Sequence, residues 1–107
     1  MSEYIHVHTT TATEADAQRI ASALVERRLA ACVHVSGPIT STYRWQGKVE
    51  TAQEWHCVAK TRRDRYAAVE AAVIELHPYD TPEIVATPIV AGSQRYLTWL
   101  DQQVNDA

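Results

Sequence analysis

Several residue types are rare or absent in this chain of 107 residues. It contains no phenylalanine, three glycines and two cysteines, and its 10 Lys and Arg are outnumbered by 13 Asp and Glu. A net charge of -3 offers no basic surface for nucleic acid, and so few glycines leave little backbone for a phosphate-binding loop. Two isolated cysteines make neither a disulfide framework nor a zinc-knuckle pattern.

Long apolar runs are also missing. None approaches the ~20 residues that a membrane-spanning helix needs, and residues 1–10 alternate in polarity instead of forming a signal peptide. We therefore expect a soluble, cytoplasmic protein with neither a nucleic-acid nor a membrane partner. With 46% hydrophobic and 21% charged residues, residues 1–107 have the size and composition of one folded domain.

The periodicity of apolar residues predicts an α+β fold. Alternation indicates strands, and spacings of three and four indicate helices. In chain order, the segments are strand 4–10, helix 13–29, strand 32–45, strand 49–61, helix 66–76, strand 84–90 and helix 93–104. This order is the ferredoxin-like split βαββαβ plan with an extra C-terminal helix and a long hairpin between its second and third strands.

The long hairpin predicts an oligomer. Each of its strands has about 12 residues, roughly twice the usual length. Gln46-Gly47 suits the turn, and Gly37-Pro38 predicts a bulge or kink in the second strand. A ribbon that extends past its own sheet leaves unpaired edges. The simplest structure to cover them is another copy of the same chain.

Histidines are the first candidates for metal binding. His6 and His8 lie two residues apart on the first strand, so both rings project from one face of the sheet. The alternation around His34 places it on the same face, which the helices leave open. Imidazoles in this arrangement suit a soft or borderline cation. The alternative is that they are half-buried surface or subunit-contact residues.

The register of the hairpin decides which residues join these histidines, and the sequence leaves two registers open. Regular pairing from the turn places Cys57 near His34. A single bulge at Gly37-Pro38 shifts the pairing by one residue and reverses the faces. That register instead brings in three other polar residues, Glu54, His56 and Lys60.

The two cysteines are expected to be free thiols. In the regular register Cys32 and Cys57 lie four positions apart along the hairpin, which is ~13 Å and beyond the ~7 Å limit for a disulfide. An enzyme that uses Cys32 as a nucleophile is a further alternative. No motif supplies an orienting residue or an oxyanion hole, so we assign no catalytic residue.

Five blocks of sequence resemble the CutA family, the divalent-cation tolerance proteins. They are ALVERRLAACVHV (23–35), STYRWQGKVE (41–50), KT (60–61), HPYDTPEI (77–84) and YLTWL (96–100). In this order and spacing they cover nearly the whole chain, from about Val7 to Leu100. The resemblance implies a ferredoxin-like subunit in a tight homotrimer, a cytosolic role in tolerance of copper and other divalent cations, and no enzymatic reaction.

The resemblance also suggests where a cation binds. The copper ligands proposed for one bacterial member match Thr9, Leu76 and His77, of which only His77 keeps a ligand side chain. We expect further donor atoms from His6 and His8, which alternation in the first strand places on one face, and from Cys32. Such a protein needs no obligatory cofactor and binds Cu(II) or another divalent cation.

The leading hypothesis is a trimeric, non-catalytic protein that responds to metal ions. Its subunits are expected to form a polar cleft from Tyr43, Trp45, Glu54, Lys60, Tyr79 and Glu83. The alternative is a PII-like signalling or interaction module that binds a small anionic ligand in this cleft, with Lys60 and Arg44 supplying the charge. An unidentified protein partner is compatible with either hypothesis.

Overall fold

The helices and strands follow the predicted order. In the computed structural model, which describes residues 3–105, a short 3₁₀ turn (Arg63–Arg65) precedes the second of three α-helices. The strands are β1 (Tyr4–Thr11), β2 (Cys32–Trp45), β3 (Lys48–Arg62) and β4 (Val85–Pro88). The helices are α1 (Glu14–Glu26), α2 (Tyr66–Leu76) and α3 (Gln94–Gln103). None of these helices is long and apolar enough to span a membrane.

The four strands form one sheet in the order β2-β3-β1-β4, with every neighbouring pair antiparallel. The predicted neighbours, first strand beside third and second beside third, are therefore confirmed. β4 lies at an edge of the sheet. An edge strand tolerates Pro88, because one of its sides has no neighbouring strand that needs an N–H donor. The α+β, ferredoxin-like prediction is confirmed.

Two elements are shorter than predicted, and each has a local cause. α1 ends at Glu26 because Arg28 adopts a left-handed backbone with φ of 58°, and the Leu29 N–H turns back to the Leu24 carbonyl. β4 begins at Val85 because Ile84 packs against the core and does not join the ladder.

One face of the sheet is covered by α1 and α2. Alternation along β1 directs Ile5, Val7 and Thr9 to that face, as predicted. The core there is built from β1, α1, β3 and α2, with buried side chains Ile5, Val7, Ile20, Leu24, Ala59, Val69 and Val73. We call the opposite side the open face. It carries the side chains of Tyr4, His6 and His8, which are half-buried.

α3 covers only one end of the open face. Its buried residue Leu100 and the C-cap residue Val104 form a small second cluster with Ala31, against which Tyr4 packs. The Tyr4 hydroxyl donates a hydrogen bond to the Asp101 carboxylate at 2.8 Å. No helix within residues 3–105 therefore covers the side chains of the rest of the open face.

The hairpin register includes the predicted bulge. Trp45 pairs with Lys48 across a turn in which Gln46 and Gly47 both have positive φ, as a type I′ turn requires. Pairing shifts between Ser36 and Ile39, around a cis Gly37-Pro38 bond. The bulged register is thus correct, and the regular register, with Cys57 beside His34, is wrong.

Beyond Trp55, which pairs with the last residue of β1, the hairpin continues without a third strand. This projecting part, residues 39–54, is called the ribbon below. Its side chains are mostly exposed. The molecule measures 45 × 25 × 22 Å because the ribbon extends it in one direction.

Candidate functional site

Cross-strand pairing brings most of the predicted cation donors to the open face. His6 pairs with Lys60, and Lys60 pairs in turn with Cys32. His8 lies one step further along β1 and pairs with Val58, whose other partner is His34. Directly paired residues of an antiparallel sheet share a face, so His6, His8, His34 and Cys32 lie on the same side.

His8 makes two polar contacts on this face. Its Nδ1 lies 3.1 Å from Nε2 of His56, and its Nε2 lies 2.9 Å from Oγ1 of Thr87. The two imidazole rings are nearly parallel, with an interplanar angle of 12° and centroids 5.3 Å apart. The His6 ring meets the edge of the His8 ring at a centroid distance of 6.1 Å.

The surroundings of His6 and His8 favour their neutral forms. Burial lowers the pKa of His6, and the nearby Lys60, His8 and His34 lower it further. Burial also lowers the pKa of His8, as does His56, while Glu83 acts in the opposite direction. A neutral imidazole keeps a lone pair that a metal ion can use. These two side chains are therefore chemically suited to be ligands near neutral pH.

His77 has a different environment. It is only 7% exposed, and both of its ring nitrogens are engaged. Its Nε2 donates to the Thr10 carbonyl at 2.7 Å, and its Nδ1 accepts from the Tyr79 N–H at 3.1 Å. The ring also lies against the Tyr79 ring, with centroids 4.6 Å apart. These contacts tie the loop after α2 to β1, which gives His77 a structural role.

The predicted donors do not converge within one subunit. Among residues 3–105, no group of three or more His, Cys, Asp or Glu side chains is arranged to hold a metal ion. Cys32 and Cys57 are both free thiols, as expected. Cys57 is buried on the helix-covered side and donates a weak hydrogen bond to the Ala17 carbonyl at 3.6 Å.

Two of the six predicted cleft residues meet directly. The Tyr79 hydroxyl donates a hydrogen bond of 2.8 Å to the carboxylate of Glu54, which is only 9% exposed. Burial and this hydrogen bond raise the pKa of Tyr79 well above its usual range. The negative charge of Glu54 and the nearby Tyr43 act in the same direction.

The other cleft residues are spread over the molecule. Trp45 is 56% exposed at the tip of the ribbon. Lys60 lies near the opposite end of β3, where its Nζ is 5.5 Å from the centre of the Tyr96 ring. At ~3.3 Å a residue, Lys60 and Lys48, the partner of Trp45, are separated by ~40 Å along the strand. Glu83 is exposed in the loop before β4. A single subunit therefore does not form the predicted cleft.

Sequence reasoning did not identify Thr87 or Tyr96. Thr87 joins the open face because β4 pairs with β1 at His6 and places Thr87 beside the His8 ring. The predicted strand 84–90 included Thr87, but its register against β1 was not predictable. Tyr96 meets Lys60 only because α3 folds back over one end of the sheet.

The geometry defines a class of protein: a ferredoxin-like α+β subunit with one helix-covered sheet face, an open face rich in imidazoles and a projecting ribbon. The family model of the CutA1 divalent ion tolerance protein matches residues 5–103. The chain therefore belongs to the CutA1 family. This family is named for divalent-ion tolerance and not for a reaction.

Relatives and solved structures agree with this assignment. The chain is 48% identical over 91 residues to the divalent-cation tolerance protein CutA of Thermus thermophilus, covering 85% of this chain and 88% of that one. It is 44% identical over 89 residues to the Archaeoglobus fulgidus protein of the same name, covering 83% and 86%. The crystal structure of CutA from Xylella fastidiosa matches with a TM-score of 0.94 and 38% identity, covering 97% of this chain and all of that one. These comparisons give no support to the PII-like alternative.

Proposed function

We propose that this protein binds divalent cations, Cu(II) or another imidazole-preferring ion, as part of a response to metal ions. The observation that carries the proposal is the pair of half-buried histidines, His6 and His8, whose surroundings lower both pKa values. Cys32 lies on the same face and is the third candidate donor. His77 is left out because it is buried and both of its ring nitrogens are bonded to backbone groups.

Thermal unfolding in the presence of different cations tests this function. A cation that binds only the folded state at 100 times its Kd adds about 2.7 kcal/mol to the free energy of unfolding. We expect Cu(II) and Zn(II) to raise the melting temperature, and Mg(II) to leave it unchanged because Mg(II) prefers oxygen ligands. Equal melting temperatures with and without Cu(II) and Zn(II) would contradict the proposal.

We further propose that the protein is a homotrimer, as the resemblance implies. Support comes from the ribbon, which carries exposed apolar side chains at Ile39, Tyr43, Trp45 and Val49. Large exposed apolar groups on an unsupported hairpin are typical of contact surfaces. Sedimentation equilibrium should give three times the 12.0 kDa mass of the chain. A monomeric mass at micromolar concentration would contradict it.

The proposed role is cytoplasmic and non-catalytic. The family name describes a tolerance function, and the chain offers no orienting group for a Cys32 nucleophile in its motifs. Cation binding without turnover is then the whole chemistry of the protein. No measurable hydrolysis of activated esters by the unchanged protein or by Cys32→Ala is the expected result. Ester hydrolysis that disappears in Cys32→Ala would contradict it.

A further inference from the structure

Two imidazole nitrogens on the open face are already separated by the distance that neighbouring metal ligands have. Nδ1 of His8 and Nε2 of His56 are 3.1 Å apart. Two histidine nitrogens that bind one ion at ~2.0–2.1 Å are about 3.3 Å apart at a tetrahedral angle and about 2.9 Å apart at a right angle. The observed separation lies between these values. To bind one ion, the rings would rotate about their side-chain torsions until both lone pairs point to it.

The second nitrogen of His8 is held in the way that metal-binding histidines usually are. A ligating histidine normally donates a hydrogen bond from its other ring nitrogen, which fixes the tautomer and the orientation of the ring. Nε2 of His8 lies 2.9 Å from the Thr87 hydroxyl oxygen, which can accept this bond. The lone pair of His8 is then on Nδ1 and faces His56. Without a cation, Nε2–H of His56 donates to it.

We propose that Nδ1 of His8 and Nε2 of His56 bind one divalent transition-metal cation on the open face of each subunit. This inference rests on the proposed function and names the donor pair for it. When the cation binds, the proton of His56 moves from its Nε2 to its Nδ1, so no net proton is released. Thr87 acts as a positioning residue, because it touches His8 and not the cation.

The ligand set determines which cations bind and how tightly. Because no third His, Cys, Asp or Glu within residues 3–105 completes the site, water fills the remaining positions. Two imidazoles select borderline ions, with Cu(II) held more tightly than Ni(II), Co(II) or Zn(II). Mg(II) and Ca(II) are excluded because they require oxygen ligands.

Calorimetric titration of Cu(II) into the purified full-length protein tests the donor pair. The variants are His8→Gln and His56→Gln, and the matched control is His34→Gln, which removes an exposed imidazole from the same face. We expect one cation per subunit and an affinity at least about tenfold weaker in each donor variant, which is a loss of ~1.4 kcal/mol. His34→Gln is expected to stay within about twofold of the unchanged protein, because it leaves both donors in place.

Nitrogen NMR keeps the test valid if a donor variant folds poorly. Zn(II) is diamagnetic, so its addition to the unchanged protein should shift the resonances of His8 Nδ1 and His56 Nε2 more than those of His34. Shifts confined to other histidines would overturn the inference. So would Cu(II) affinity that is unchanged in both donor variants, although the proposed function would then survive with other donors. Failure of the unchanged protein to bind Cu(II) would overturn both.

Discussion

The Tyr79 hydroxyl and the Glu54 carboxylate form a buried contact that illustrates how single residues control this molecule. Burial and the hydrogen bond of 2.8 Å both oppose ionisation of the phenol. The same bond supplies a proton donor to a carboxylate that is almost fully buried. A buried charge without such a partner is strongly unfavourable. The contact therefore contributes stability in a way that depends on pH.

Replacing Tyr79 by Phe should destabilise the protein and weaken its sensitivity to alkaline pH. Below about pH 10 the phenol is protonated in both the folded and unfolded states, and the bond to Glu54 contributes fully, by ~1.5–3 kcal/mol. Above about pH 10 the unfolded chain ionises first, because the folded pKa is raised, so the free energy of unfolding falls. Because Phe does not ionise, Tyr79→Phe should make the fall in the free energy of unfolding less steep, by up to ~1.4 kcal/mol per pH unit.

Urea unfolding from about pH 8 to pH 11, at one protein concentration, measures the effect. Tyr43→Phe is the control, because Tyr43 is 42% exposed in the subunit. It should unfold like the unchanged protein at about pH 8. Tyr79→Phe with the stability and the pH slope of the unchanged protein would refute the proposed role of this contact.

Cys57 should be inert to alkylation in the folded protein. Burial raises the pKa of its thiol to about 11. At about pH 8 only ~0.1% of such a thiol is the reactive thiolate, and the surrounding core also blocks access. In Cys32→Ser, Cys57 is the one remaining thiol. Iodoacetamide followed by mass spectrometry should show labelling of this variant only after denaturation, and rapid labelling of the native variant would contradict the predicted environment.

At the scale of the element, the bulge in β2 determines the composition of the open face. Pairing shifts between Ser36 and Ile39. The part of the hairpin in which residues 32–36 pair with residues 56–60 is therefore one residue out of register with the ribbon. A shift of one residue exchanges the two faces of a strand. This shift places His56 on the open face, beside His8, and turns Cys57 towards the helices.

Gly37→Ala should destabilise the protein through steric overlap at this bulge. A Cβ atom at Gly37 would lie 2.5 Å from Cδ1 of the Trp55 ring, which is too close without a shift of the indole or the backbone. We expect a loss of ~1–3 kcal/mol in the free energy of unfolding, as for other overpacked sites. Gly47→Asn is the control. A Cβ atom at residue 47 would meet open space, and Asn adopts the positive φ of this turn at a smaller cost than most other side chains. Equal stability of the two variants in urea would contradict the steric argument.

The sequence predicts the elements well because each one has a clear periodicity or cap. Alternation in β1 assigns His6 and His8 to one face, and the side chains of Thr13 and Ser93, residue types that favour helix N-caps, accept hydrogen bonds at the N-termini of α1 and α3. The contact of His8 with His56 was not predictable. It depends on the bulge, for which the sequence allowed two registers of similar plausibility.

At the scale of the whole molecule, the ribbon is the feature that a single subunit does not explain. Its apolar side chains are exposed, and none of the strands in the described part of the chain pairs with it as a third strand. Of the six residues predicted to form a cleft, three lie on the ribbon (Tyr43, Trp45 and Glu54), Lys60 lies near the other end of β3, and Tyr79 and Glu83 lie in the segment between α2 and β4. In the proposed trimer, neighbouring subunits cover the ribbon and bring together cleft residues that one chain keeps apart.

Trp45→Glu should weaken association of the subunits. It places a charge where an exposed indole is available for contact, and charges are depleted at the centre of protein interfaces. We expect the concentration for half-dissociation to rise at least about tenfold, as for substitutions at binding hot spots. Lys48→Glu is the control, because it changes a charge at the residue that pairs with Trp45 across the ribbon. Sedimentation over a range of concentrations measures both, and unchanged association in Trp45→Glu would exclude the tip from the interface.

Anomalous diffraction from crystals grown with Cu(II) tests the central claim, that the open face binds a divalent cation, most directly. We expect three subunits around a threefold axis, each with an anomalous peak ~2.0 Å from both Nδ1 of His8 and Nε2 of His56. A peak at His6 and Cys32 alone would keep the function and move the site. A structure with Cu(II) nowhere on the open face would contradict the claim itself.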